Sequence, residues 1–167
     1  MSPRAAWRLE SLRFTDVHDF AAGKAAWLAA GLPIVGSDAT TPRAGEHARN
    51  DVPTCRPDEP LNAVRERVRA AGWDTCIVIN QEQIVLGRLG RNALTRDDDR
   101  TVEDAMSAGP STIRPDTPLA TIAQRLCEKG LTSALVTTLD GELVGVLRLE
   151  DTANVLGMDS AHTKLPS

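Results

Sequence analysis

The residues able to do chemistry are few and scattered. His18, His47 and His162 stand alone, with no HExxH, CxxC or paired Cys/His spacing around them, so the sequence offers no designed metal site. His18 is expected to be packed or partly exposed, and His47 and His162 to sit in mobile segments. Cys55, Cys76 and Cys127 are odd in number and widely spaced. They suit a reducing cytoplasm better than a disulfide framework, and the apolar neighbours of Cys76 and Cys127 predict small buried thiols. The acidic run Asp97-Asp98-Asp99 has no further ligands converging on it and reads as a solvated loop. No GxSxG, GxxxxGK[ST] or GxGxxG occurs, so neither a nucleophile elbow nor a standard phosphate loop has support. On these residues the chain reads as a binding module and not an enzyme.

The composition agrees with that restraint. The chain has 167 residues, 41% hydrophobic and 25% charged, enough for one compact domain or two small lobes. With three Trp, two Phe and no Tyr, aliphatic packing must carry the core. A net charge of −4 gives no electrostatic reason to expect nucleic acid or an anionic membrane as partner. Residues 1–30 lack the uninterrupted apolar stretch of a signal peptide, and no segment approaches the roughly 18 apolar residues that span a bilayer. Cytoplasmic residence is the expectation.

What positions any functional group is an internal repeat. Thr54-Cys55-Arg56-Pro57-Asp58-Glu59-Pro60-Leu61 aligns with Thr112-Ile113-Arg114-Pro115-Asp116-Thr117-Pro118-Leu119 at an offset of 58. The register continues without a gap, setting Gly72 on Gly130, Val78 on Val136, Gly87 on Gly145 and Leu89 on Leu147. Each copy opens on a short extended piece ahead of Arg-Pro-Asp, where proline disfavours helix for the preceding residue. Asp58 and Asp116 are expected to cap a helix that tolerates Pro60 or Pro118 in its first turn. Apolar residues then recur at spacings of three and four (Leu61, Val64, Val68, Ala71; Leu119, Ile122, Ala123, Leu126) up to the glycine stop. Two short strands follow in each copy, over 76–79 with 84–89 and over 134–137 with 143–147. Asp140-Gly141 is a favoured tight turn between the second pair. Shorter helices are expected near 92–94 and 151–156. Each unit thus reads β-α-β-β-α, too small to fold alone, so the two should bury their sheets against each other.

This grammar resembles the tandem CBS domain pair, named after cystathionine β-synthase. The resemblance rests on Thr101-Val102-Glu103-Asp104-Ala105-Met106, on Thr112 to Leu119, and on Leu139-Asp140-Gly141-Glu142-Leu143-Val144-Gly145-Val146-Leu147 through Asp151. It covers about residues 51–156, and the second copy is the better match. The first copy lacks the valine-to-methionine lead-in and has a weaker hairpin, Asn80-Gln81-Glu82-Gln83. The resemblance implies an α+β fold, a disc of pseudo-two-fold symmetry with two clefts between the copies. It also implies assembly into dimers and, in many members, adenosine-type ligands. The ligand signature is glycine, two apolar residues, Ser or Thr, two variable residues, then an Asp able to accept from both ribose hydroxyls. In Gly145-Val146-Leu147-Arg148-Leu149-Glu150-Asp151 the aspartate is in place, but Arg148 holds the hydroxyl position. An arginine there pairs with phosphate or fills the cleft. The first copy, Gly87-Arg88-Leu89-Gly90-Arg91-Asn92-Ala93, lacks both groups, so ribose recognition is not expected there. The implied ligand-binding residues are therefore Asp151 and Arg148, with Thr112 and Ile113 at the opening strand and Ser133 and Ala134 lining the cleft through their backbone. AMP, ADP, ATP or S-adenosylmethionine are the regulatory ligands implied. Without any ligand, Asp151 at a helix start is favourable by itself.

The first fifty residues differ in chemistry and hold four of the five aromatics: Trp7, Phe14, Phe20 and Trp27. Residues 5–12 and 24–30 read as helix and 16–20 as doubtful strand, with Gly31-Leu32-Pro33 as a stop. Val17 to Pro33 resembles the C-terminal end of a rhodanese-type sulfurtransferase domain. That resemblance implies that the catalytic cysteine and most of the sheet lie before Met1, and none of the three cysteines present matches its position. The aromatics are expected to pack on the repeat pair or on a second subunit, since together they would form a sticky patch. The expected organisation is a rhodanese-like, mainly helical segment over 1–36, a linker over 37–50 and the first copy over 51–94. A link over 95–100, the second copy over 101–157 and a flexible tail over 158–167 complete it. Three functions follow in order: a ligand-sensing regulatory module, a ligand-free structural or dimerising module that binds a protein partner, and, remotely, a sulfurtransferase.

Overall fold

A computed structural model describes residues 3–18, 40–96 and 100–157, together with residues 23, 26, 27, 30, 32, 33, 35 and 36. The expectations for Phe20, Asp97 to Asp99, His162 and the tail over 158–167 lie outside the described residues. Residues 23, 26 and 27 are helical, whereas 16–18 are not strand.

The elements of the first copy are β1 (Thr54–Cys55), α3 (Leu61–Ala70), β2 (Cys76–Ile79), β3 (Val85–Leu89) and α4 (Arg91–Thr95). Those of the second are β5 (Thr112–Ile113), α6 (Leu119–Glu128), β6 (Ser133–Thr137), β7 (Leu143–Arg148) and α7 (Leu149–Leu156). In each, the first two strands pair in parallel across the helix and the last two pair as an antiparallel hairpin. The β-α-β-β-α plan thus holds in both. Gly72 and Gly130 stop their helices in the left-handed region, at φ 69° and 61°. The expected caps differ. Pro60 and Pro118 themselves precede the helices in extended conformation and no side chain caps either one, so Asp58 and Asp116 do not serve that role. The first N–H of each helix is instead taken up by a lead-in carbonyl, that of Leu61 by Arg100 and that of Leu119 by Pro42.

The stretch expected as a linker contains the main surprise. Ala44–His47 is a helical turn, α2, and it occupies in the first copy the place that α5 (Val102–Ala105) holds in the second, again 58 positions away. Each lead-in docks on the other copy. The Ala44 and Gly45 N–H groups donate to the carbonyls of Thr117 and Pro115, and those of Val102 and Glu103 donate to Glu59 and Pro57. After its turn, each lead-in runs beside the last strand of the opposite copy, Arg49 against Val146 and β4 (Ser107–Ala108) against β3. The first copy therefore does have a lead-in, Arg43-Ala44-Gly45-Glu46-His47-Ala48, although it shares no residue with its counterpart. His47 accordingly ends a docked helix and does not lie in a mobile segment.

This exchange explains two glycines. A Cβ at Gly145 would stand 2.5 Å from the Arg49 carbonyl oxygen, and one at Gly87 would stand 2.4 Å from the Met106 sulfur. The hairpin tips also join the copies, with Val85 N–H donating to Gly141 and Leu143 N–H to Gln83. The larger apolar cluster crosses the seam, packing Leu135 and Val146 of the second copy with Leu61, Val64, Ile77 and Leu89 of the first.

The N-terminal helix α1 (Pro3–Ser11) forms as expected. Trp7 and Phe14 do not pack on the described residues of the repeat pair: they are 65% and 59% exposed. Trp27 is half-buried and donates its indole N–H to the Pro33 carbonyl.

Candidate functional site

The loops that end α3 and α6 meet across the pseudo-two-fold axis. Gly72 to Thr75 from the first copy and Thr132-Ser133 from the second enclose a cleft of about 510 Å³, closed at one side by Val146, Arg148 and Glu150 and at another by Arg91. The pairing of Ser133 with Arg148 on the β6–β7 ladder sets both at the cleft edge.

Trp73, buried beside this cleft, was not singled out by any motif. The Arg148 guanidinium lies 3.9 Å from its ring centroid and that of Arg49 lies 4.8 Å away, so two cations stack on one indole. Arg49 is also held by both oxygens of Asp51, at 3.0 and 2.6 Å. That bond raises the Arg49 pKa and lowers the Asp51 carboxyl below its ordinary value, and the charges of Asp151 and Glu150 raise Arg49 further. Arg148 has a weaker partner, Glu150 at 3.4 Å.

Asp151 lies in the first turn of α7, partly buried. Its Oδ2 is shielded from solvent and has no hydrogen-bond partner among the described residues. It does not cap the helix; Thr152 bonds back to the Arg148 carbonyl instead. Of the residues expected to bind, Ser133 and Arg148 line the axis cleft. Asp151, Thr112, Ile113 and Ala134 are not on that cleft's wall. Thr112 is exposed on β5, while Ile113 and Ala134 pack against the second copy's core.

The corresponding face of the first copy is built differently. A second cleft of about 500 Å³ lies there, lined by Gly90, Ala93, Arg91, Arg96 and Ser107 among others. Gly90, Ala93 and Ser107 stand 58 positions before Arg148, Asp151 and beyond Arg49, so small side chains replace the two stacked arginines and the aspartate.

The cysteines are free. Cys55 and Cys76 are buried, and the hydrogen bond between their thiols, with burial, pushes the Cys55 pKa up, the opposite of an activated nucleophile. Cys127 is exposed, which corrects the expectation of a buried thiol; it sits on the outer side of α6, away from Leu119, Ile122 and Leu126. Among the described residues no group of three or more His, Cys, Asp or Glu could hold a metal, and no helix is long and apolar enough to cross a membrane.

Comparison with known proteins places this geometry. The model of the CBS domain matches residues 102–157. No curated protein sequence matches the chain. Among solved structures, the cytosolic domain of the Mg2+ channel MgtE in complex with ATP is similar at a TM-score of 0.62 and 22% identity, over 68% of this chain and 48% of that one. The CBS domain pair of protein MJ0100, in complex with 5′-methylthioadenosine and S-adenosyl-L-methionine, has a TM-score of 0.62 and 12% identity over 70% and 97%. The CBS-pair protein CBSX2 from Arabidopsis thaliana has a TM-score of 0.61 and 19% identity over 70% and 95%. The chain thus spans about half the length of the channel domain and nearly all of the two pairs. These matches lend no support to the rhodanese-like reading of residues 1–36. Residues 102–157 are similar to the CBS domain, and the two copies together have the fold of a CBS domain pair.

Proposed function

We propose that the chain is a regulatory, non-catalytic module that senses an adenosine-type nucleotide in the second copy's cleft. The observation that carries this reading is the shielded, unpartnered Oδ2 of Asp151. A buried carboxylate oxygen without a donor is costly, and a ribose diol would supply two donors. Thr112, Ile113, Ser133 and Ala134 frame the rest of the ligand, and Arg148 takes its phosphate. Similar folds in complex with ATP, AMP and S-adenosyl-L-methionine support the same ligand class. The signal passes as a shift in the packing of the two copies, or of two subunits, towards whichever arrangement the ligand binds better. The three free thiols suit the reducing cytoplasm as its place of work.

The test is thermal denaturation with and without AMP, ADP, ATP and S-adenosylmethionine. A ligand at a hundred times its dissociation constant adds about 2.7 kcal/mol, a shift of several degrees for a small domain. The shift should vanish in Asp151→Ala.

One observation favours a second reading, a ligand-free dimerising or partner-binding module. Arg148 and Arg49 already occupy the faces of Trp73, and Trp7 and Phe14 are exposed where a second subunit would cover them. No stabilisation by any of the four ligands, with a dimer in sedimentation that Trp7→Ser dissociates, would establish it.

A further inference from the structure

A ribose can bond to Asp151 only if the carboxylate is accessible, and in this arrangement it is not. Arg148, Leu149 and Glu150 line the axis cleft, but Asp151, the next residue, does not, and its Oδ2 is shielded from solvent. A ligand that is to reach it must first displace something.

The group to displace stands on Trp73. This residue follows α3 in the first copy and is 7% exposed. Both guanidiniums on its ring are carried on the second copy's side of the seam. Arg148 ends β7, and Arg49 is tied to the same strand by reciprocal backbone bonds with Val146, each 2.9 Å. One indole is thus gripped by two cations held on the opposite copy. The charge of Asp151 acts on Arg49 and raises its pKa, so the grip and the shielded carboxylate are neighbours.

The two cations are not held alike. Arg49 is anchored by both oxygens of Asp51, whereas Arg148 has a single bond of 3.4 Å to Glu150, whose side chain is 69% exposed. An exposed ion pair of that length holds little, so Arg148 is the side that lets go. The pseudo-symmetric positions have no such contact. Leu131, Gly90 and Ser107 stand 58 positions from Trp73, Arg148 and Arg49, and these three side chains cannot form a cation–aromatic stack.

We propose that Arg148 on Trp73 is an autoinhibitory latch that keeps the axis cleft closed over Asp151, and that a ligand reaching Asp151 must release it. The latch rests on the nucleotide reading for the identity of what opens it; the closure itself stands on the stack. Only the open fraction of molecules is competent, and the apparent affinity falls by that fraction. Because the latch joins the copies, its release removes a contact between them and links occupancy to their relative packing.

Adenosine is the probe, since without a phosphate it makes no ion pair with Arg148. Isothermal titration of the full chain compares the natural protein, Arg148→Ala and Asp151→Ala. Acrylamide quenching is read beside it in a chain whose sole tryptophan is Trp73 (Trp7→Phe with Trp27→Phe), with and without Arg148→Ala. Adenosine should bind about five-fold more tightly to Arg148→Ala, the worth of the stack, and quenching of Trp73 should rise several-fold with no ligand present. Equal adenosine affinity in the natural protein and Arg148→Ala, with binding lost in Asp151→Ala, overturns the latch and leaves the nucleotide reading standing. If neither adenosine nor AMP binds either chain, the nucleotide reading falls and quenching decides the latch: a several-fold rise supports it, and an unchanged value overturns it. Should Arg148→Ala fail to fold, Arg148→Gln, which keeps the stem and loses the cation, carries the same comparison.

Discussion

The two copies share a backbone plan and diverge where a ligand would touch them. The second has Asp151, with Arg148 and an incoming Arg49 stacked on Trp73; at the matching places the first has Ala93, Gly90 and Ser107 beside an open cleft. Arginine appears in the first copy at a different point, Arg88, and reaches over to the second. Duplication thus supplied one scaffold twice, and each half was loaded with complementary groups. A pair of identical clefts could bind two ligands independently. Unequal halves instead share one central cleft, walled by residues of both copies.

The sharpest way to break that comparison is at the two glycines under the exchanged lead-ins. In Gly145→Ala the new Cβ meets backbone, the Arg49 carbonyl, which cannot move without undocking α2. In Gly87→Ala it meets the flexible end of Met106. Overpacking of this kind costs about 1–3 kcal/mol, and Gly145→Ala should fall at the upper end and Gly87→Ala at the lower, as read from urea denaturation. Equal losses would mean that the two lead-ins are held alike.

The next effect concerns Trp73. Arg148→Ala removes a guanidinium stacked at 3.9 Å in a largely desolvated place, a contact worth about 1–2 kcal/mol. Lower thermal stability should come with a red-shifted tryptophan emission as water reaches the indole. A shift without a stability loss would mean that Arg49 or another side chain takes over the ring face.

A smaller effect distinguishes the hairpins. Gln83 holds φ 64° where the second copy has Gly141 at 89°. A non-glycine residue in that region costs about 1–2 kcal/mol, partly offset by the chain entropy that glycine forfeits. Gln83→Gly should therefore stabilise the first hairpin by roughly 0.5 kcal/mol, and Gly141→Gln should cost more than that.

The smallest effect is electrostatic. Arg49 and Asp51 form an exposed pair whose second-copy counterparts, Ser107 and Gly109, cannot ionise. Because Arg49 lowers the Asp51 pKa, the pair's contribution is complete above the unfolded carboxylate value and is lost as pH falls through the lower folded one. Asp51→Asn should slightly flatten the acid limb of the stability profile, and the difference should shrink in high salt.

Much of the fold was legible in the residues themselves. The 58-residue offset, the glycine stops and the strand pairs are local patterns: backbone preferences and short-range periodicity set them, and both are written in consecutive positions. The second-copy aspartate and arginine were legible for the same reason, since a motif is a spacing. Other features required contacts between remote segments. Arg43 to Ala48 shares no residue with its counterpart at 101–106, so only its bonds to Pro115 and Thr117 reveal it as the missing lead-in. Arg88 stands in the apolar stretch after the first copy's hairpin glycine, and only its bond to Ser133 reveals that it crosses the seam. Trp73 carried no signal because its partners, Arg49 and Arg148, lie 24 and 75 positions away.

The sequence by itself determined two tandem β-α-β-β-α units and the chemical inequality of their hairpin ends, because turn residues and apolar spacing act within a few positions. Tertiary structure alone decided which lead-in packs on which copy and which guanidinium faces which hydroxyl. Those choices depend on burying two incomplete sheets against each other, and that packing is a property of the assembled pair.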